Sequence, residues 1–169
     1  MPILRQDELD LISHSAEQTR RLGVRLGTLL RPGDVVCLSG EMGAGKTAFA
    51  AGIGAGWGAN SVVNSPTYNL VHEYQRDTDD ERLIHLDCYR LADEHDAETL
   101  GLDAIFDGSA LVMIEWPERI VPLLPTERLW IELRLFEATR RNLLFMPTGS
   151  RYEALLEAFR GDALGTKRT

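Results

Sequence analysis

Residues 40–47 read GEMGAGKT and combine three glycines with a lysine and a threonine. They match the pattern G-x-x-x-x-G-K-[ST] through Gly40, Gly45, Lys46 and Thr47. Glycines allow the backbone to curl so that successive N–H groups point into one hollow, which suits a doubly charged phosphate at the start of a helix. The pattern predicts a nucleotide-phosphate site, in which Lys46 reaches the β- and γ-phosphates and the Thr47 hydroxyl binds Mg²⁺.

The lysine in this stretch is unusual for the chain, which has 18 basic residues but only two lysines, Lys46 and Lys167. A lysine suits a site that needs a compact point charge, whereas an arginine offers a planar fork. We therefore expect the whole loop to bind the phosphates. Its residues are Gly40, Glu41, Met42, Gly43, Ala44, Gly45, Lys46 and Thr47.

The segments around the loop must hold it between a strand and a helix. VVCLS (35–39) is rich in β-branched residues and predicts a buried strand. Residues 46–57 predict a helix ending near Trp57, although glycines inside a helix cost about 1 kcal/mol each against alanine. ALVMIEW (110–116) is the most apolar strand candidate, so we expect it to lie centrally beside the 35–39 strand.

A second metal-binding acid is expected at the end of an apolar strand, and two residues qualify. Asp87 ends LIHLD and Glu115 ends LVMIE. Glu115 is favoured because its strand is the more apolar one. A surface acid at a strand end is the alternative for each residue, and it is the weaker alternative for Glu115. Trp116 follows Glu115 and either packs in the core or forms a wall of the nucleotide site.

NSPTYN (64–69) is a further candidate for the site. In P-loop hydrolases a hydroxyl from a switch loop approaches the γ-phosphate and Mg²⁺, and Thr67 could supply it. A capped turn leading into a strand explains the same residues.

Hydrophobic patterning predicts an α/β protein, a P-loop NTPase-like three-layer sandwich with a mixed parallel and antiparallel central sheet. We assign residues 1–162 to a single domain that contains the phosphate loop and residues 163–169 to a disordered C-terminal tail. The other predicted elements are helices over 15–30, 93–100 and 150–161 and strands over 68–74, 83–89, 128–136 and 142–148.

Charge and cysteine content limit the function classes. The chain carries 18 Lys and Arg against 26 Asp and Glu, a net charge of −8, which argues against binding nucleic acid without a partner. Cys37 and Cys88 predict reduced core thiols in a cytoplasmic protein. The amino terminus lacks a signal-peptide pattern, and no stretch approaches the 18 apolar residues of a membrane span.

Four segments together are similar to the TsaE (YjeE) family, small bacterial P-loop ATPases of threonylcarbamoyladenosine synthesis on tRNA. The segments are GEMGAGKT, SPTYNLVHEY, HLDCYRL and IEWPERI, in this order and near the family's spacings. The first is generic, whereas SPTY, DCYRL and EWP in combination are specific. The resemblance covers roughly residues 15–160.

The resemblance implies a protein that binds ATP and Mg²⁺ and hydrolyses ATP slowly alone and faster with its partners. Those partners are the TsaB and TsaD type proteins, which transfer threonylcarbamoyl to the adenosine next to the anticodon while hydrolysis keeps the complex turning over. The partners hold the tRNA, which agrees with the acidic charge of this chain. The sequence leaves open the partner-docking surface and any self-association of the isolated chain.

The resemblance also implies roles by position. An arginine after the penultimate strand pair approaches ATP in the family, and Arg140 is our choice, with Arg141 left open. Ala48 stands where a second threonine is common, and DCYRL replaces the commoner DLYRL, but neither change removes a ligand. The matched residues are Lys46 and Thr47 for phosphate and Mg²⁺, Glu115 for the second Mg²⁺ acid, Asp87 for an acid needed for activity, Thr67 for the switch-like loop and Trp116 beside the site.

Three other functions are compatible with the phosphate loop alone. A small-molecule P-loop kinase usually has an acceptor pocket and an arginine-bearing lid, but the only arginine-dense stretch after residue 100, ATRRN (138–142), is short and lies in a turn. A GTPase needs an N-K-x-D segment, which the chain lacks. A regulatory module would bind ATP without hydrolysing it.

Overall fold

The computed structural model describes residues 5, 7–41, 43–64, 70–92 and 94–163, with residues 94, 95, 162 and 163 as backbone only. The described chain forms one seven-stranded sheet with helices on both faces. The strands are β1 (Leu9–Ser13), β2 (Val35–Ser39), β3 (Val71–Gln75), β4 (Arg82–Asp87), β5 (Leu111–Glu115), β6 (Arg128–Leu135) and β7 (Arg141–Thr148). The helices are α1 (Ala16–Gly27), α2 (Lys46–Trp57), α3 (Glu94–Ala97), α4 (Leu102–Ile105) and α5 (Ser150–Ala163).

The sheet has the strand order β1-β7-β6-β2-β5-β4-β3. β2 runs parallel to both of its neighbours, β5 and β6, and β4 runs parallel to β5. β3, β7 and β1 add antiparallel pairs at the two edges. The predicted mixed sheet and the central position of β5 beside β2 are therefore confirmed.

Two apolar layers lie on opposite faces of the sheet and follow the alternation of its strands. On β2, Val36 and Leu38 pack with α1, α2 and α5, whereas Val35 and Cys37 pack with α3 and α4. The three-layer arrangement is confirmed, although the second layer is made of four-residue helices and short 3₁₀ turns. Cys37 and Cys88 are buried free thiols, and burial raises the pKa of both to about 12.

Helix α1 begins where its capping residues predict. The Ser15 hydroxyl oxygen accepts the Gln18 N–H at 3.1 Å, and the Gln18 side-chain oxygen accepts the His14 N–H at 2.8 Å. These bonds satisfy backbone donors that have no partner within the helix. The helix ends at Gly27, three residues earlier than expected.

The glycines that weakened the helix prediction for α2 are the points at which α1 and α2 pack closest. A Cβ atom on Gly52 would lie 2.1 Å from the Arg20 carbonyl oxygen, and one on Gly56 would lie 2.0 Å from that of Val24. The two helices thus touch backbone to backbone, and this packing outweighs the low helix propensity of glycine. The contact fixes the position of α2 and of the loop that precedes it.

Replacing Gly52 with alanine should lower the free energy of unfolding by about 1–3 kcal/mol, because overpacking outweighs the gain in helix propensity. Thermal unfolding measures this as a Tm lowered by about 2–4 °C per kcal/mol for a chain of this size. Gly161→Ala in α5 is the control, since its Cβ would meet no atom within 4 Å and Tm should hold or rise. A Tm raised in both variants would contradict the close helix contact.

Some boundaries differ from the prediction. β1 was not predicted, and it pairs with β7 at the edge of the sheet. The predicted helix over 93–100 consists of α3 followed by a 3₁₀ turn, and α5 continues to Ala163. Residues 164–169 of the predicted tail lie outside the described residues. None of the described helices has the length and apolar character needed to cross a membrane.

Candidate nucleotide site

A cleft of about 580 Å³ opens at the carboxyl ends of the central parallel strands. It is the place where ligands bind in open α/β sheets. Residues predicted from three separate segments of the chain meet in it. The predicted residues in its lining are Gly43, Gly45, Lys46, Thr47, Asp87, Glu115 and Trp116, and Ala48, Ala51 and Tyr89 complete it.

The phosphate loop connects β2 to α2 through glycines with left-handed backbone. Gly40, Gly43 and Gly45 have φ values of 144°, 84° and 104°. A Cβ on Gly40 would lie 2.3 Å from the Leu133 carbonyl oxygen, whereas one on Gly43 would meet nothing within 4 Å. Gly40 therefore packs the loop against β6, whereas the space beside the Cα atom of Gly43 is open. Ala44 is buried in the core, and Met42 lies outside the described residues.

Lys46 is the first residue of α2 and is only 6% exposed. Its Nζ donates a hydrogen bond to the Gly40 carbonyl oxygen and lies 3.6 Å from the centroid of the Trp116 ring. Burial lowers the pKa of Lys46, and the carboxylates of Glu115, Glu118 and Asp87 oppose that shift. The ammonium group is thus held inside the cleft and surrounded by acids.

The two candidate acids are direct neighbours in the sheet. Asp87 and Glu115 are register partners on the parallel strands β4 and β5, and Glu115 in turn pairs with Leu38 of β2. Burial and the charge of Glu115 raise the pKa of Asp87, while the Tyr89 N–H, at 2.9 Å from Asp87 Oδ1, and the charge of Lys46 lower it. Both acids stand where the phosphate loop begins.

His85 is a residue of the site that sequence reasoning missed. Its side chain is fully buried, and its Nε2 lies 2.6 Å from Oε2 of Glu115, which is itself 3% exposed. The sequence did contain a signal for His85. Residues two apart on a strand lie on the same face, so His85 shares a face with Asp87, which had been predicted as a site residue.

Trp116 forms a wall of the cleft and is half-buried. Its φ of 57° is the only positive value at a non-glycine position in the described chain. Such a conformation costs about 1–2 kcal/mol and persists where surrounding contacts impose it. The Trp116 N–H donates to the Leu38 carbonyl oxygen at 3.3 Å, and the Tyr89 ring lies 5.0 Å from the indole. The turn directs the indole over Lys46.

Arg140 was the choice from the sequence, with Arg141 left open, and the structure brings Arg141 to the loop. Its Nε donates to the Gly43 carbonyl oxygen at 3.2 Å. Arg140 instead lies 3.7 Å from the carboxylate of Glu137 in the β6–β7 hairpin. Thr67, the candidate switch residue, lies outside the described residues.

The donor atoms of the cleft fit magnesium. The Thr47 hydroxyl and the Glu115 and Asp87 carboxylates are oxygen ligands, which Mg²⁺ prefers, and in nucleotide sites one or two carboxylates act together with the phosphates. The described residues hold no cluster of three or more His, Cys, Asp or Glu side chains that could bind a metal alone. Thr47, Glu115 and Asp87 are the residues of the cleft that could hold Mg²⁺ together with a phosphate.

Comparison with known proteins agrees with the motifs. The family model "Threonylcarbamoyl adenosine biosynthesis protein TsaE" matches residues 13–143. The chain belongs to the TsaE family. The "tRNA threonylcarbamoyladenosine biosynthesis protein TsaE" of Bacillus subtilis is 39% identical over 141 residues, which are 83% of this chain and 87% of the relative. The protein of the same name from Treponema pallidum is 36% identical over 132 residues, 78% of this chain and 96% of the relative.

A solved structure has the same fold. The crystal structure of Bacillus subtilis YdiB matches with a TM-score of 0.79 and 33% sequence identity, covering 92% of this chain and 96% of that one. The family assignment and the α/β fold predicted from the sequence are both confirmed. Membership of the TsaE family points to a role in threonylcarbamoyladenosine biosynthesis.

Proposed function

We propose that this TsaE-family protein binds ATP with Mg²⁺ and hydrolyses it, and that hydrolysis drives turnover of the TsaB and TsaD type partners that modify tRNA. One observation carries the proposal. Asp87 and Glu115 end neighbouring parallel strands and line the same cleft as Lys46 and Thr47. A P-loop ATPase requires this combination of cation, hydroxyl and strand-end acid.

The residues of the cleft have different roles in this proposal. The backbone N–H groups of the loop and Lys46 bind the β- and γ-phosphates, while Thr47 and Glu115 hold the ion. Mg²⁺, when bound, neutralises charge on the β- and γ-phosphate oxygens. Asp87 faces the same space as Glu115 and either orients the attacking water or accepts its proton. The water oxygen forms a bond to the γ-phosphorus, and the bond to the oxygen of the departing ADP breaks.

The tRNA is held mainly by the partners in this proposal. The chain has a net charge of −8, which opposes independent binding to a phosphate backbone. The protein therefore contributes ATP turnover to the complex, and the transfer of threonylcarbamoyl is performed by the partners.

An ATPase assay of the chain alone, with the TsaB and TsaD type proteins, and with these proteins and tRNA tests the proposal. We expect slow hydrolysis alone and faster hydrolysis in the complete mixture. A Glu115→Gln variant should bind to the partners yet fail to sustain repeated rounds of tRNA modification. Full modification by this variant would instead support a module that binds ATP without hydrolysing it, and ATP consumption that required a small-molecule acceptor would support a kinase.

A further inference from the structure

We propose that His85 is a positioning residue that holds the Glu115 carboxylate in the orientation needed to bind Mg²⁺. This inference rests on the proposed function, because it assigns a role within the same site. It concerns a residue that lies behind the cleft lining, since His85 is fully buried and contacts the acid from the interior of the sheet.

The position of His85 is one where an apolar residue is expected. It lies on β4 between Leu83 and Asp87 on the face that packs against α2, and its register partner on β5 is Met113. Burying a polar ring among such neighbours costs free energy unless the ring forms a hydrogen bond. The bond that His85 forms is directed at Glu115.

The geometry assigns the proton of this bond to His85. The distance of 2.6 Å between Nε2 and Oε2 is that of a short, charge-assisted hydrogen bond. Nδ1 of His85 is buried and has no hydrogen-bond partner among the described residues. A ring with its proton on Nδ1 would bury an unused N–H group and place two lone pairs against each other at Nε2 and Oε2. A proton on Nε2 avoids both penalties.

The hydrogen bond from His85 fixes the orientation of the Glu115 carboxylate that binds Mg²⁺. Glu115 is nearly inaccessible to solvent, so water contributes little to fixing its side-chain torsions. A donor on the interior side restricts rotation of the carboxylate. Hydrogen bonds of this kind around a metal ligand typically change metal affinity or activity by about 10–100-fold when they are removed.

Two amide substitutions separate this role from simple core packing. A glutamine at position 85 places its amide nitrogen near the position of Nε2, whereas an asparagine places it near that of Nδ1. Both introduce a buried amide, but only His85→Gln restores a donor to Glu115. Each variant is compared with wild type in thermal unfolding, in ATP affinity by calorimetry with EDTA and with Mg²⁺, and in the Mg²⁺ concentration that gives half-maximal hydrolysis.

We expect His85→Asn to raise the half-maximal Mg²⁺ concentration by about 10–100-fold, with ATP affinity in EDTA unchanged. His85→Gln should remain close to wild type in its half-maximal Mg²⁺ concentration and in its ATP affinity in EDTA. The inference is overturned if the two variants respond to Mg²⁺ alike, or if ATP affinity falls equally with and without Mg²⁺. If neither variant folds, nitrogen NMR of the wild-type His85 imidazole must show the proton on Nε2, and a proton on Nδ1 would overturn the inference. Wild-type protein that neither binds nor hydrolyses ATP with Mg²⁺ would refute the proposed function itself.

Discussion

Replacing Lys46 with alanine should weaken ATP binding by at least about 30-fold, because loss of one partner of a buried charge pair costs about 2–5 kcal/mol or more. The ammonium group lies inside the cleft between the Gly40 carbonyl oxygen and the Trp116 ring. Asp87 and Glu115 line the same cleft. Without the lysine, the γ-phosphate would face these carboxylates without the buried ammonium group that offsets their charge.

Calorimetric titration of ATP with Mg²⁺ measures the effect. The matched control is Arg31→Ala, since Arg31 is an exposed cation in the turn that precedes β2, at the opposite end of that strand from the phosphate loop. This control loses the same charge and should bind ATP as wild type does. Circular dichroism establishes that Lys46→Ala is folded. Unchanged affinity in a folded Lys46→Ala variant would refute the assignment of residues 40–47 to phosphate binding.

The core of the site could be predicted from the sequence because its signals are local. The phosphate loop is continuous in the chain, and its glycines, lysine and threonine have fixed spacing. Glu115 was favoured because the strand before it is the most apolar, and the structure buries all five residues of β5 beside β2. A strand that is buried on both faces has a composition that identifies it as central.

Features that depend on distant partners could not be predicted in the same way. β1 contains Asp10 and buries only its two end residues, and its pairing with β7 joins positions more than a hundred residues apart. The glycines of α2 lower helix propensity, and their role emerges only from the backbone of α1 against which they pack. Arg140 and Arg141 have different contacts because β7 begins between them, and sequence patterns do not locate a strand end to one residue.

Replacing Asp87 with asparagine should slow ATP hydrolysis by about 100-fold or more while affecting affinity for ATP much less. Acids that orient water or accept its proton contribute about 10²–10⁴-fold to rate. Asparagine keeps the side-chain oxygen that accepts the Tyr89 N–H, so the turn after β4 should survive. It loses the charge and the basicity that the attacking water requires, whereas Glu115 and Thr47 remain to bind the ion.

Steady-state hydrolysis with the partners, together with calorimetry, separates the two effects of Asp87→Asn. Asp103→Asn is the matched control, because Asp103 is an exposed acid in the first turn of α4, on the other face of the sheet. Its rate and affinity should equal those of wild type. If Asp87→Asn lost affinity and rate to the same degree, Asp87 would be a principal ligand of the ion or a structural residue. A rate loss with retained affinity assigns it to the water that attacks the γ-phosphate.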